Sequence, residues 1–440
     1  MKRLYLEQNF FYALITIITL FIVSYLIPSL FGVTKVLLLS LFILTFLDFI
    51  ILFFTKKGVQ AKRILPEKFS NGDENTIEIH LKNYYTFKIS TKIIDEIPYQ
   101  FQVRDFLIKR NIKASSNKAF KYELRPTERG EYWFGKLIVY AQSPLKLISR
   151  RFDFEEKKHM IATYPSFIQL RKFDLMALAY RNEYGIKKIR KIGQTMEFEQ
   201  IKEYVLGDDI RNINWKATAK KSQLMINQYQ DEKSQPIYSI IDKGRVMKMP
   251  FNGLSLLDYA INSALVMSNV TIKKHDKAGM FCFSKKVENR VVAERRSNQM
   301  NLILETLYNI NTDFKESDFS RLYTDLKHNI KHRSLLFLYT NFETLDGLDR
   351  QLAYLQGIAK SHVLVVIFFI NTELEDLINN PSEDIQDIYQ KTIAEKFTYE
   401  KRLIVKELSR RGVFSILTKP ENLTVNVINK YLEFKARGVI

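Results

Sequence analysis

The chain is 440 residues long, with 46% hydrophobic and 26% charged side chains but only 15 Gly and 10 Pro, so it can bury large cores and is neither disordered, collagen-like nor of low complexity. Its 67 Lys and Arg against 48 Asp and Glu leave a formal charge of +19, which calls for phosphates, anionic lipid headgroups or an acidic protein nearby. The single cysteine, Cys282, excludes an intrachain disulfide framework and Cys-rich zinc modules and fits a reducing compartment.

Residues 10–34 carry no charged side chain, and the run exceeds the ~20 apolar residues that cross a hydrocarbon core as a helix. A second apolar run, 36–54, is interrupted only by Asp48 and follows a short link at 28–35. Together they predict a transmembrane helical hairpin over residues 1–56. The first run is too long for a cleaved secretory peptide and lacks a small-x-small cleavage signal. Lys2 and Arg3 before the hairpin, and Lys56, Lys57, Lys62 and Arg63 after it, outweigh Lys35 in the link. The positive-inside bias therefore puts both ends, and everything beyond residue 55, in the cytoplasm, with the hairpin in membrane lipid. Asp48 is the anomaly, because a carboxylate in hydrocarbon costs a few kcal/mol unless protonated or paired. It is expected close enough to the cytoplasmic end to reach headgroup water, with a proton or partner contact as the alternative.

Over residues 62–165 the pattern has period two, as in Ile77, Ile79 and Leu81 or Tyr132 and Phe134, broken by turn signals at Asn71-Gly72-Asp73, Pro98, Ser115-Ser116-Asn117 and Arg129-Gly130. Six or seven short strands there predict an immunoglobulin-like β-sandwich. Residues 166–235 form a connector with a dense basic run containing Lys187, Lys188, Arg190 and Lys191. That run is either a solvated face or a contact with the anionic inner leaflet, where each cation is worth about 1 kcal/mol. No nucleic-acid-binding motif accompanies the charge.

Beyond residue 236 short continuous apolar runs alternate with amphipathic stretches, which predicts buried parallel strands joined by helices. Strands are expected at 237–241, 279–283, 335–339, 363–370 and 413–417. Leu254, Leu257, Ile261 and Leu265 form one helical stripe, a longer helix runs from Ile385 past Leu408 to a stop at Gly412, and a last one covers 422–434. Asp242 closes the first strand, where open parallel sheets gather ligands. That position resembles the metal-ion-dependent adhesion site of von Willebrand factor A domains, an Asp-x-Ser-x-Ser loop joined by a Thr and an Asp from other loops. Here Gly244 and Val246 replace the serines and Asn341 replaces the later Asp, leaving Asp242 and Thr340 as weak Mg²⁺ candidates. Lys243 and Arg245 oppose a cation and are expected to present charge to a partner.

The most specific signature runs from Glu199 to Lys221 and includes Glu203, Tyr204, Gly207, Asp208, Asp209, Arg211 and Trp215. Gly207-Asp208-Asp209 reads as a tight turn whose carboxylates bond backbone amides, with Arg211 forked onto a carboxylate and Trp215 and Ile213 anchored against the α/β core. It serves either as a structural clamp or as a partner-binding surface. The run Glu-Tyr-x-x-Gly-Asp-Asp-x-Arg-x-Ile-x-Trp-Lys-Ala-Thr-Ala, behind two apolar helices and an Arg-Gly-Glu-Tyr strand, resembles the bacterial family catalogued as domain of unknown function 58. The resemblance implies an inner-membrane protein with a C-terminal α/β, Rossmann-type von Willebrand A-like domain over 236–440, partnered by a MoxR-type AAA+ ATPase in cell-envelope or complex maturation.

The sequence holds no Gly-x-x-x-x-Gly-Lys-Ser/Thr loop, His-Glu-x-x-His or Gly-x-Ser-x-Gly elbow. His328 and His332, spaced one helical turn apart, have no acid or Cys to complete a metal site. The expectation is a non-enzymatic, two-pass scaffold without a cofactor that docks a protein. Metal-dependent recognition through Asp242 and Thr340 is the alternative, and a hydrolase using Asp208, Asp209 or Asp242 has no nucleophile to support it.

Overall fold

Pro28 ends the first apolar helix, because a proline disfavours the α conformation in the residue before it. In the computed structural model, which describes residues 4–155, 160–168, 196–205, 208, 210–231, 234–312, 314–379, 381 and 384–439, helix α1 (Gln8–Leu26) and helix α2 (Leu30–Phe54) are joined by residues 27–29 alone. The expected link at 28–35 is therefore mostly helix. Lys35 lies within α2, its Nζ 4.4 Å from the centroid of the Phe31 ring. Both helices are long and apolar enough to cross a membrane. The described chain forms two units, Met1–Tyr164 and Pro165–Ile440.

In the first unit an unexpected strand, β1 (Leu4–Leu6), precedes α1, and among the described residues the period-two region gives ten short strands where six or seven were expected: β2 (Val59–Ile64), β3 (Phe69–Ser70), β4 (Asn75–Asn83), β5 (Ile89–Asp95), β6 (Ile108–Ile112), β7 (Asn117–Leu124), β8 (Gly130–Trp133), β9 (Leu137–Gln142), β10 (Ile148–Phe154) and β11 (Met160–Tyr164). They make a five-stranded antiparallel sheet, β1-β10-β9-β5-β6, and two three-stranded sheets, β2-β4-β7 and β3-β11-β8. Alternate residues point inward, so Ile79 and Leu81 of β4 meet Ile89, Ile93, Val139 and Ile148 in one core. Leu52, from the last turn of α2, is fully buried in that core.

That insertion explains Asp48, which does not reach headgroup water as expected. It is fully buried. Its Oδ2 accepts the backbone N–H groups of Leu147 and Ile148, each at 3.1 Å, in the turn between β9 and β10. The orphan carbonyls at the end of α2 are bonded as well. Tyr85 Oη donates to Leu52 O at 2.8 Å, and Arg150 Nη1 donates to Leu52 O at 2.7 Å and Thr55 O at 2.8 Å. Arg63, counted above as a flanking charge, is instead buried and forked onto Asp95, with Nε 3.0 Å from Oδ2.

In the second unit a hairpin of β12 (Met196–Glu203) and β13 (Met225–Asp231) carries helix α3 (Trp215–Lys221) in its connection. There follow β14 (Pro236–Asp242), a small ribbon of β15 (Pro250–Phe251) and β16 (Leu254–Ser255), helix α4 (Leu256–Lys273), β17 (Lys277–Phe283), β18 (Val287–Glu294), helices α5 (Gln299–Tyr308) and α6 (Phe319–Asn329), β19 (Leu335–Tyr339), helix α7 (Leu345–Ser361), β20 (Val363–Phe369), helices α8 (Thr372–Asn379) and α9 (Ile385–Arg410), β21 (Phe414–Thr418) and helix α10 (Leu423–Ala436). The six strands lie in the order β18-β17-β14-β19-β20-β21, all parallel except β18. All five expected strand positions are occupied; β18 was not expected, because its alternating burial has none of the continuous apolar character of its neighbours. Side chains alternate between two cores. Ile241, Phe337 and Val365 face a layer that includes α4, α5 and α10, while Ile240, Leu338 and Val366 face α6, α7 and α9.

Candidate functional site

The order of the second sheet sets one site. From β14 the chain moves to β17 on one side and later returns to β19 on the other, leaving a crevice beyond the carboxyl ends of β14 and β19. Asp242 and Thr340 meet there. Asp242 is buried; its Oδ2 accepts Thr340 Oγ1 at 2.6 Å, and its Oδ1 accepts Gly244 N at 2.8 Å and the hydroxyl of Ser317. Burial pushes the Asp242 carboxyl above the usual range, and the three hydrogen bonds pull against that rise.

Ser317 was not read from the sequence. The available signal was Asp318 before an apolar stripe, since Asp318 caps α6 by accepting Arg321 N at 2.9 Å and so holds Ser317 at a helix entrance. A Cβ at Gly244 would run into Ser317 Oγ and lie 3.1 Å from the Lys315 carbonyl. The hydroxyl from the α6 loop thus fills the space a side chain at 244 would need.

The other adhesion-site position is filled differently. Asn341 Oδ1 accepts Lys401 Nζ at 2.6 Å, and the same ammonium donates to Phe342 O. Lys401 is a half-buried residue of α9, and burial pushes its pKa down to about 8, with Glu343 pulling the other way. An ammonium therefore already engages Asn341, and the Asp242 carboxylate is saturated by internal donors. Lys243 is nearly buried and paired with Glu288, so it does not present charge to a partner as expected, whereas Arg245 is exposed. Among the described residues no group of three or more His, Cys, Asp or Glu could hold a metal ion. His328 sits in the last turn of α6 and His332 lies beyond its end, so the two do not share a helical face.

The second site is the hairpin connection. Asp208 Oδ2 accepts Val205 N at 3.1 Å and Oδ1 accepts Lys202 Nζ at 3.1 Å, which together hold its carboxyl below the usual range, the backbone bond contributing most. Tyr204 N donates to Leu224 O at 2.8 Å. Asn214 caps α3 by accepting Ala217 N at 3.0 Å and holds Asn227 Oδ1 at 2.8 Å, while Thr218 Oγ1 accepts Met225 N at 2.9 Å. The backbone is thus tied into the hairpin without the side chain of Trp215. That ring is not the expected anchor against the α/β core: it is 69% exposed, with Ile210 at 68% and Val205 at 62%. Glu203 ends β12, and Arg211 lies in the short turn before α3. Gly207 and Asp209, like the basic run at Lys187, Lys188, Arg190 and Lys191, lie outside the described residues.

Residues 200–392 match the family described as protein of unknown function DUF58. Over that stretch the chain is similar to the DUF58 family. The matched stretch begins in β12 and ends in α9, so it takes in both the hairpin connection and the Asp242 crevice, while Lys401 falls beyond it. The uncharacterized protein YeaD of Bacillus subtilis (strain 168) is 26% identical over 124 residues, so the similarity spans 28% of this chain and only 30% of YeaD's own length. Among solved structures, the conserved hypothetical protein BatB from Bacteroides thetaiotaomicron aligns with 46% of the chain and 100% of its own length, at 11% identity and a TM-score of 0.31. The ASH/PapD-like domain of human CEP192 aligns with 24% of the chain and 84% of its own, at 13% identity and a TM-score of 0.19.

Proposed function

We propose that this chain is a non-catalytic, membrane-anchored scaffold that docks a protein through the hairpin connection of its second unit. The hairpin α1–α2 holds it in the inner membrane of a bacterium, with both soluble units in the cytoplasm. The observation that carries the reading is the exposed apolar side chains of Val205, Ile210 and Trp215, beside described backbone N–H groups at Val205, Ala217 and Met225 that are hydrogen-bonded to Asp208, Asn214 and Thr218. Tryptophan is among the residues that most often dominate binding energy, and exposed apolar clusters on an ordered frame mark contact surfaces. A stripe on α9, with Ile385 82%, Ile388 57% and Tyr389 68% exposed, adds a second apolar surface in the same unit.

The strand order and the Asp242 crevice support reading the second unit as a Rossmann-type, von Willebrand A-like domain, and the sheets of the first, antiparallel except for the β3–β11 pair, support an immunoglobulin-like sandwich. A MoxR-type AAA+ ATPase is the partner implied by the sequence resemblance, since it would supply ATP hydrolysis for which this chain carries no phosphate loop. Affinity purification from detergent-solubilised membranes, comparing the unaltered chain with Trp215→Ala and Ile210→Glu, tests the reading. Truncating a hot-spot aromatic costs about 2–4 kcal/mol, roughly 30- to 1,000-fold in affinity, so the ATPase should co-elute with the unaltered chain alone. Equal recovery with all three sinks the docking role.

A second reading, Mg²⁺-dependent recognition, draws on the convergence of Asp242, Ser317 and Thr340 oxygens. It requires Mg²⁺ to displace internal hydrogen bonds. Heat released on titration with millimolar Mg²⁺ that vanishes in Asp242→Asn would favour it.

A further inference from the structure

A cavity of about 310 Å³ lies at the opposite end of the second sheet from Asp242, where α6 and α7 end and β19 and β20 begin. That volume is at the small end of ligand pockets, about 300–1,000 Å³. Its floor is apolar, made by Leu326, Ile330 and Ile358, with the Tyr323 ring as one wall. Its rim carries Lys327, Lys331 and Arg333, all exposed, and no acidic side chain lines it. None of these three cations is in an ion pair among the described residues.

The bland explanation is that the cations complement the negative ends of two helices. Each helix terminus carries about half an elementary charge, so α6 and α7 together supply roughly −1 against three full positive charges. About two positive charges remain uncompensated. A further observation points the same way. His362, which lines the cavity, is 7% exposed, and its Nδ1 has no hydrogen-bond partner. Buried polar atoms are rarely left unbonded without a function or a missing partner. Burial lowers the His362 pKa, so its ring is held neutral near pH 7 and offers a polar atom rather than another charge.

We infer that this cavity binds a small phosphate monoester, its phosphate held by Lys327, Lys331 and Arg333 and its apolar body laid on Leu326, Ile330 and Ile358 beside Tyr323. A phosphate monoester carries about −1.5 to −2 charges at pH 7, which matches the uncompensated excess. This site is independent of the docking surface at Trp215 and stands or falls without it.

The test uses the full-length chain in detergent, titrated calorimetrically with phenyl phosphate, phenol and inorganic phosphate. Phenyl phosphate should saturate the site and bind at least about tenfold more tightly than either fragment alone. The exposed pair substitution Lys331→Gln/Arg333→Gln should weaken it at least about tenfold without changing the melting temperature, and added salt should weaken it in the unaltered chain. His332 and His362 both line the cavity, so in protein labelled with ¹⁵N only at histidine the ring signal that is missing from His362→Gln should be among those that move on saturation. The inference is overturned by no saturation at about 10 mM phenyl phosphate, where even a Kd of ~1 mM would show. Undiminished binding to the double variant, or inorganic phosphate binding as tightly as phenyl phosphate, overturns it equally.

Discussion

Replacing Asp242 by alanine strands three donors at once: the Gly244 N–H, the Ser317 hydroxyl and the Thr340 hydroxyl. Hydrogen bonds to a charged group are worth about 1.5–3 kcal/mol each, but the two hydroxyls can re-aim, and burying the carboxylate has a cost of its own. The net loss for Asp242→Ala is therefore about 3–4 kcal/mol. Asp242→Asn keeps one acceptor oxygen and should lose only about 1 kcal/mol. At roughly 2 °C per kcal/mol for a unit of this size, melting should fall by about 6–8 °C in the alanine variant and by about 2 °C in the asparagine variant. The measurement is thermal unfolding of the full chain in detergent, followed by tryptophan fluorescence. pH sharpens it. Because the folded carboxyl is raised above its ordinary 3.8, its stabilising contribution is full below that value and declines as pH rises through the folded one. The advantage of the unaltered chain over Asp242→Asn should thus grow as pH falls from 7 toward 4. Equal losses in the two variants, or an advantage that shrinks on acidification, would refute this account of the crevice.

Asp48→Leu should lower the melting temperature by several degrees although leucine suits an apolar helix better, since the Leu147 and Ile148 N–H groups would be left buried and unbonded at about 1–3 kcal/mol each, while Asp48→Asn keeps the acceptor; thermal unfolding in detergent with both variants checks this. Lys401, with a folded pKa of about 8 against an ordinary 10.5, holds fewer protons folded than unfolded between those values. Stability should therefore rise with pH across that window, by at most roughly 3 kcal/mol, and Lys401→Met should abolish this rise in denaturation curves taken from pH 7 to 10.5. Gly58 has φ +52°, and a Cβ there would lie 2.8 Å from Tyr85 Oη and against the Phe152 ring. Gly58→Ala should consequently expose the chain between α2 and β2 to limited proteolysis, whereas Gly32→Ala, with open space around it, should not.

The parallel strands were legible because burial on both faces leaves continuous apolar runs, as in Val363–Phe369, and the helices because stripes and caps agree, as at Ser255 and Asp258 before α4. β18 was not, because an edge strand with one wet face reads as ordinary amphipathic sequence. Asp48 and Arg63 looked like membrane features because each sits beside an apolar run; only long-range pairing with residues 147–148 and Asp95 gives them buried partners. Ser317 and Lys401 join the crevice from loops and helices far along the chain, and no local spacing marks such convergence. Trp215 was misplaced for a different reason. Aromatic side chains are usually buried, so a sequence-based expectation sends them to the core unless the backbone around them is already satisfied by others, as Asn214 and Thr218 satisfy it here.

The proposed docking role is tested most directly by a photo-reactive phenylalanine analogue at position 215, irradiated in native membranes, with the same analogue at exposed Lys285 in the β17–β18 turn as control. An adduct at position 215 identified by mass spectrometry as an AAA+ ATPase, with none at 285, is the predicted result. No protein adduct at 215, or equal adducts at both positions, would contradict it.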